Sequence, residues 1–230
     1  MPDAEILAEA IAPERLETAV SEAGAPVRKR PKPGERRVQI LQALAAMLEQ
    51  PGAERITTAA LAARLDVSEA ALYRHFASKA QMFEALIEFI EESVFTLVNQ
   101  MTDRAAGDAA NAPTTAPVDA RLAAQLVAML IQFAEKNPGM TRVMVGDALV
   151  FENERLQARM NQFFDKIESI LKSSLRDVAA HNGSDTPTVD AQVSASVLTA
   201  FVVGRMQRFA RSGFKRLPSE HLDACLAQML

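Results

Sequence analysis

Between positions 57 and 79 the chain gathers the hydroxyls of Thr57, Thr58, Ser68 and Tyr73, the carboxylate of Glu69, and the donors of Arg74, His75 and Lys79. Side chains of these types donate and accept hydrogen bonds, and their spacing forms no nucleophile–base constellation. Hydroxyls and cations bind phosphate oxygens, while Arg, Glu and a small apolar residue such as Ala70 suit base edges. Bond-making chemistry has no comparable cluster. His75, His181 and His221 are dispersed without metal-ligand spacing. Gly-x-Ser-x-Gly, His-Glu-x-x-His and phosphate-loop patterns are all missing, and Glu152 and Glu154 beside Arg155 read as helix-surface charge. The expectation is a binding protein without cofactor or metal, not an enzyme.

Such donors need a frame to hold them, and the intervening residues supply one. Thr57 suits the cap of a first helix whose Leu61 and Leu65 face inward, and Ala62 is small enough for a second helix to cross closely above it. Asp66 sits at the turn, where a left-handed backbone is required, and Val67 plugs the angle between the helices. Ser68 is then placed to cap the second helix, whose Leu72 and Phe76 form its buried side four residues apart. Glu69, Ala70, Tyr73 and Arg74 are left pointing outward, as on a helix that enters the major groove. Thr57, Thr58, Tyr73 and Lys79 suit phosphate contacts that set register; Glu69, Ala70 and Arg74 suit base edges. This is a helix-turn-helix over about residues 57–76, and its target is double-stranded DNA.

The net charge of −4 argues against nucleic acid until its distribution is considered. From Arg28 to Lys79 there are ten Lys and Arg against five Asp and Glu, a local +5; the rest of the chain therefore carries −9. Positive charge is collected where phosphate would dock. With 49% hydrophobic residues and only 5% aromatic ones, the 230-residue chain has a helical composition and enough apolar content for a real core. Its single cysteine, Cys225, excludes an internal disulfide and reads as a small buried apolar residue. Neither a signal peptide at the start nor an apolar run near the ~20 residues of a membrane span is present, so a cytoplasmic protein is expected.

Along the chain, residues 1–33 hold five prolines, Pro13, Pro26, Pro31 and Pro33 among them, and the basic cluster Arg28-Lys29-Arg30-Pro31-Lys32, and are expected to form a disordered arm. A helix over 35–50 ends at Pro51-Gly52. Ser78-Lys79-Ala80-Gln81 has the form of a capping box opening a long helix over 79–103. A loop over 104–117 follows, then helices over 119–136, 138–146, 149–180, 189–212 and 219–228. The domains expected are the arm, a DNA-binding unit over 34–78 and a helical body over 79–230. In the penultimate helix Ser196, Ala200 and Gly204 form a small-residue ridge flanked by Val193, Val197 and Phe201, and are assigned to a two-fold dimer interface with the last helix. Arg205, Arg208 and Arg211 read as a solvated or ion-paired face.

The segment from Thr57, through Leu61-Ala62, Val67-Ser68 and Leu72-Tyr73-Arg74-His75-Phe76, to Lys79 resembles the TetR family. The resemblance implies an all-α homodimer with a three-helix helix-turn-helix domain and a dimerisation body of about six helices. Over 55–92 and 135–168 it narrows to the family's nucleoid-occlusion members. That implies binding to palindromic chromosomal sites, possible higher-order assembly on DNA, a nucleoid-associated location, and antagonism of polymers of the division protein FtsZ. The partner surface it implies falls on Phe89, Met129, Lys136 and Asn137. The chain departs from the pattern in having Asp66 for the usual turn glycine, a longer arm and a longer 104–117 loop. The alternative occupation of such a fold is a ligand-responsive transcriptional repressor with Met129, Phe133, Met160 and Phe163 lining a pocket.

Overall fold

The computed structural model describes residues 35–50, 56–111 and 120–230. The arm, Pro51-Gly52 and the 112–117 part of the expected loop lie outside them. Among the described residues the elements are helical: α1 Glu35–Leu48, α2 Thr58–Arg64, α3 Glu69–Tyr73, α4 Lys79–Asn111, α5 Arg121–Lys136, α6 Pro138–Met144, a 3₁₀ turn Asp147–Leu149, α7 Glu154–His181, α8 Pro187–Arg211 and α9 Leu222–Met229. None of these helices is long and apolar enough to cross a membrane. The chain divides into two compact units between Ser93 and Val94, inside α4.

The first unit buries Ile40, Leu41, Leu44 and Leu48 of α1 against Leu61 of α2, Leu72 of α3, Phe76, and Phe83, Leu86 and Ile87 of early α4. The five-residue α3 is far too short to be helical in isolation, so its conformation is imposed by these contacts. The second unit is organised by α7 lying along α8. Leu156, Met160, Phe163, Ile167, Leu171 and Leu175 are buried at steps of three and four, one stripe of an amphipathic helix. Gln192 Nε2 donates to Glu168 Oε1 at 2.6 Å and pins the two helices in register. At the α5–α6 corner the buried Thr141 hydroxyl donates to the Ala134 carbonyl at 2.8 Å, satisfying one of the carbonyls that the end of α5 leaves open.

Three helices end in the same way. Beyond α2, Val67 N–H donates to Ala62 O and Asp66 N–H to Ala63 O, with Asp66 at φ 53°. This is the Schellman arrangement, and Asp66 fills its left-handed position as anticipated. Gly183 (φ 79°) does so after α7 and Gly213 (φ 63°) after α8.

Several boundaries differ from expectation. The long helix does not end at 103 but continues to Asn111, because Ala105 and Ala106 are the best helix formers and the single Gly107 costs only about 1 kcal/mol. The helix expected from 149 begins at Glu154, where Asn153 Oδ1 accepts from Arg155 N–H at 3.1 Å; the residues before it form the 3₁₀ turn. The next helix starts at Pro187, since proline fits the first helical position, and the last starts at Leu222 after His221 in the left-handed region.

Candidate nucleic-acid interface

The interface is built from α2, its turn and α3. Thr57 caps α2 as expected, its Oγ1 accepting from Ala60 N–H at 3.1 Å. Ser68 does not cap α3 with its side chain. The amide it would reach, that of Ala71, is already bonded at 2.9 Å to Ser68's own carbonyl, so the hydroxyl stays exposed and unspent. Thr57→Ala is therefore expected to lower stability by about 1 kcal/mol, whereas Ser68→Ala stays within about 0.5 kcal/mol. Paired thermal melts of the two variants check the contrast; equal losses would show that Ser68 caps in solution.

The outward face of α3 comprises Glu69, Ala70, Tyr73 and Arg74, all exposed. Tyr73 is the chain's only tyrosine and is 46% exposed. Thr58 does not stand free beside Thr57: its Oγ1 donates to Glu69 Oε2 at 2.6 Å, and Tyr73 OH lies 3.5 Å from the same oxygen. Lys79 is half-buried with Nζ 5.6 Å from the Phe83 ring centroid, anchored at the start of α4. There Ser78 Oγ accepts from Gln81 N–H at 3.1 Å and Gln81 Oε1 accepts from Ala77 N–H, a capping box shifted back by one residue.

His75 is half-buried, and its carbonyl accepts from Arg37 Nη1 at 2.7 Å. The same guanidinium lies 4.3 Å from the Phe76 ring centroid. Arg37 thus ties α1 to the end of the recognition helix, placing a cation on the last carbonyls of that element. Sequence reasoning missed it. The two residues are 38 apart, and an arginine on the polar side of a helix carries no local sign of its partner.

The residues assigned to a protein partner fall in both units. Phe89, in the first, is 7% exposed, so its ring is core and offers almost no surface. In the second unit Met129 is partly exposed and Lys136 exposed, while Asn137 joins α5 to α6 and donates from Nδ2 to Phe133 O at 2.8 Å. Of the residues offered as a ligand pocket, Met160 and Phe163 are fully buried. Phe163 makes edge contacts with Phe95 at 5.5 Å and Phe164 at 5.1 Å, so these side chains are packed core.

The small ridge of α8 faces outward. Val193 and Val197 are 58% and 50% exposed, Ser196 and Ala200 exposed, Phe201 and Gly204 half-buried. Val189, at the same spacing of four, extends the stripe and is 58% exposed. Arg205 is engaged rather than solvated: its guanidinium lies 4.9 Å from the Phe201 centroid, Nη1 donates to Glu220 O at 2.9 Å, and Nη2 to Cys225 Sγ at 3.1 Å. Cys225 is half-buried and its Sγ accepts from Arg205, so it is not the fully buried apolar residue expected.

Comparison with known proteins agrees with this geometry. Residues 40–86 match the family described as bacterial regulatory proteins, tetR family, and residues 120–229 match a SlmA-like family described as tetracyclin repressor-like, C-terminal domain. The nucleoid occlusion factor SlmA of Vibrio cholerae is 51% identical over 189 residues, 82% of this chain and 90% of that protein. The nucleoid occlusion factor SlmA of Idiomarina loihiensis is 48% identical over the same shares. Among solved structures, the fold is similar to a TetR transcriptional regulator from Legionella pneumophila, with a TM-score of 0.62 at 15% identity over 88% of this chain and 100% of that one. It is likewise similar to the fatty acid degradation regulator FadR from Bacillus halodurans, with a TM-score of 0.64 at 14% identity over 87% and 96%.

Proposed function

The chain belongs to the TetR family and, within it, to the nucleoid occlusion factors of the SlmA type; from that premise we propose that it acts as a homodimer which binds palindromic chromosomal sites and, while bound, antagonises FtsZ polymer assembly. It is a DNA-binding protein and not an enzyme. One observation carries the occlusion reading: similarity extends through the body, over 120–229, as well as through the helix-turn-helix. The nucleoid occlusion factors of Vibrio cholerae and Idiomarina loihiensis are likewise similar over 82% of this chain, well beyond the helix-turn-helix. A ligand-responsive repressor is not favoured, since the residues offered as its pocket include the packed core pair Met160 and Phe163.

In this reading the two α3 helices of the dimer enter successive major grooves on one face of the duplex, and the two-fold symmetry of the protein selects a palindrome. Phosphate contacts from Thr57, Tyr73 and Lys79 set the register, and Arg74 and Ala70 reach bases. Met129, Lys136 and Asn137 are the accessible candidates for meeting FtsZ, and the protein resides on the nucleoid in the cytoplasm.

The test is sedimentation of FtsZ polymers with the protein, in the presence and absence of its DNA site. Less polymer in the pellet is expected when DNA is present, and Lys136→Glu is expected to reduce the effect without weakening DNA binding. Pellets unchanged by the protein in both conditions would sink the occlusion reading.

A further inference from the structure

We infer that Glu69 reads a cytosine in each half-site, and that Thr58 is the positioning residue that aims it. The inference rests on the DNA-binding reading above and deepens it to one base. Glu69 opens α3, and residues at the start of the second helix of a helix-turn-helix are those that meet base edges. A carboxylate in a groove lined by phosphates is electrostatically unwelcome unless it has a donor to meet, so its presence there restricts the base it faces.

Only two groups in the major groove donate: N4 of cytosine and N6 of adenine. Adenine presents its N7 acceptor directly beside N6, and a carboxylate that reaches N6 is repelled by N7. The neighbour of cytosine N4 on the same ring is a carbon bearing hydrogen, which does not repel it. An acceptor-only side chain therefore discriminates for cytosine, whereas an amide, with a donor for N7, discriminates for adenine.

Thr58 makes this discrimination sharp. A glutamate has three rotatable bonds, and an exposed one samples many positions, including ones that reach neighbouring bases. Here Thr58 Oγ1 donates to Oε2 at 2.6 Å, which fixes one oxygen against α2 and leaves Oε1 with no protein donor among the described residues. Tyr73 OH, one turn further along α3 and 3.5 Å from Thr58 Oγ1, flanks the pair. The hydroxyl of Thr58 is thus spent on a side chain rather than on phosphate, a different use from that of its neighbour Thr57.

The experiment is selection from a randomised duplex library with the full-length protein, followed by titration of the enriched sites. Wild type is expected to enrich palindromes with one cytosine column per half-site that Glu69→Gln moves to adenine and Glu69→Ala flattens. Loss of that base is expected to cost wild type on the order of tenfold in affinity, and Glu69→Ala less than about threefold. Thr58→Val is expected to blur the same column, while Thr58→Ser, which keeps the hydroxyl, restores it. A merely structural Thr58 would lower affinity evenly across sequences, with no column singled out. If wild type enriches palindromes but every column survives Glu69→Gln, the assignment is overturned while DNA binding stands. If wild type enriches no palindrome, the DNA-binding reading fails and takes the assignment with it.

Discussion

Replacing Val193 and Val197 together by aspartate is expected to convert the protein to a monomer and weaken binding to a palindromic site by at least about a hundredfold. Both valines stand well exposed on the outer face of α8, in line with Val189. A contiguous apolar stripe left exposed on a helix marks an interaction face. Burying a valine fully contributes about 1.5 kcal/mol or more. In a two-fold interface each substitution counts twice, and each aspartate also meets charge from its symmetry mate. A single helix-turn-helix on one half-site then loses the effective concentration that the second provides, which is worth about 10²–10⁴ in affinity. Sedimentation velocity gives the oligomeric state, and titration of full and half sites gives the loss. A double variant that still sediments as a dimer would place the interface elsewhere.

Phe76→Ala is expected to abolish DNA binding by loosening the first unit. Its ring is 1% exposed and carries the Arg37 guanidinium 4.3 Å above it. Truncating a buried phenylalanine costs about 3–5 kcal/mol, to which loss of the cation contact adds about 0.5–1. Against a total stability of about 5–15 kcal/mol, that is enough to populate states in which α3 is not formed. The loss should appear as accelerated amide exchange over residues 58–76 together with loss of binding, and Phe76→Leu, which keeps most of the volume, should show less of both. Exchange rates unchanged in Phe76→Ala would mean that α3 is held by other contacts.

The helix-turn-helix was legible because its constraints are local. A hydroxyl at Thr57, a left-handed residue at Asp66 and apolar residues four apart at Leu72 and Phe76 each follow from neighbours within one or two turns, and the structure shows all three. Ser68 shows the limit of such reasoning: the residue type suits a cap, but in so short a helix its own carbonyl takes the amide first. Arg37 and Phe89 show another. Whether an arginine reaches a carbonyl 38 residues away, or a phenylalanine on a long helix is covered, depends on tertiary packing that spacing does not encode. The end of α4 was misplaced for a third reason, since Asn, Thr, Gly and Pro further on outweighed the alanines that carry the helix to 111. The stripe of α8 is legible as one helix face because its residues recur at a spacing of four, but that spacing is shared by the buried stripe of α7, so exposure, and the place of Val189 in the stripe, come from the structure.

The recognition helix has almost no helical stability of its own; Leu72, Phe76 and the Arg37 strut hold it from behind. What it presents in front, at positions 69, 70, 73 and 74, touches the scaffold among the described residues through the Thr58 hydroxyl alone, which bonds Glu69 and lies beside Tyr73, and adds little to the buried support behind. Those four residues are free to drift under selection with small penalty to the scaffold, so related proteins can acquire new target sequences by a handful of surface changes. Specificity here is written in replaceable type on a fixed press.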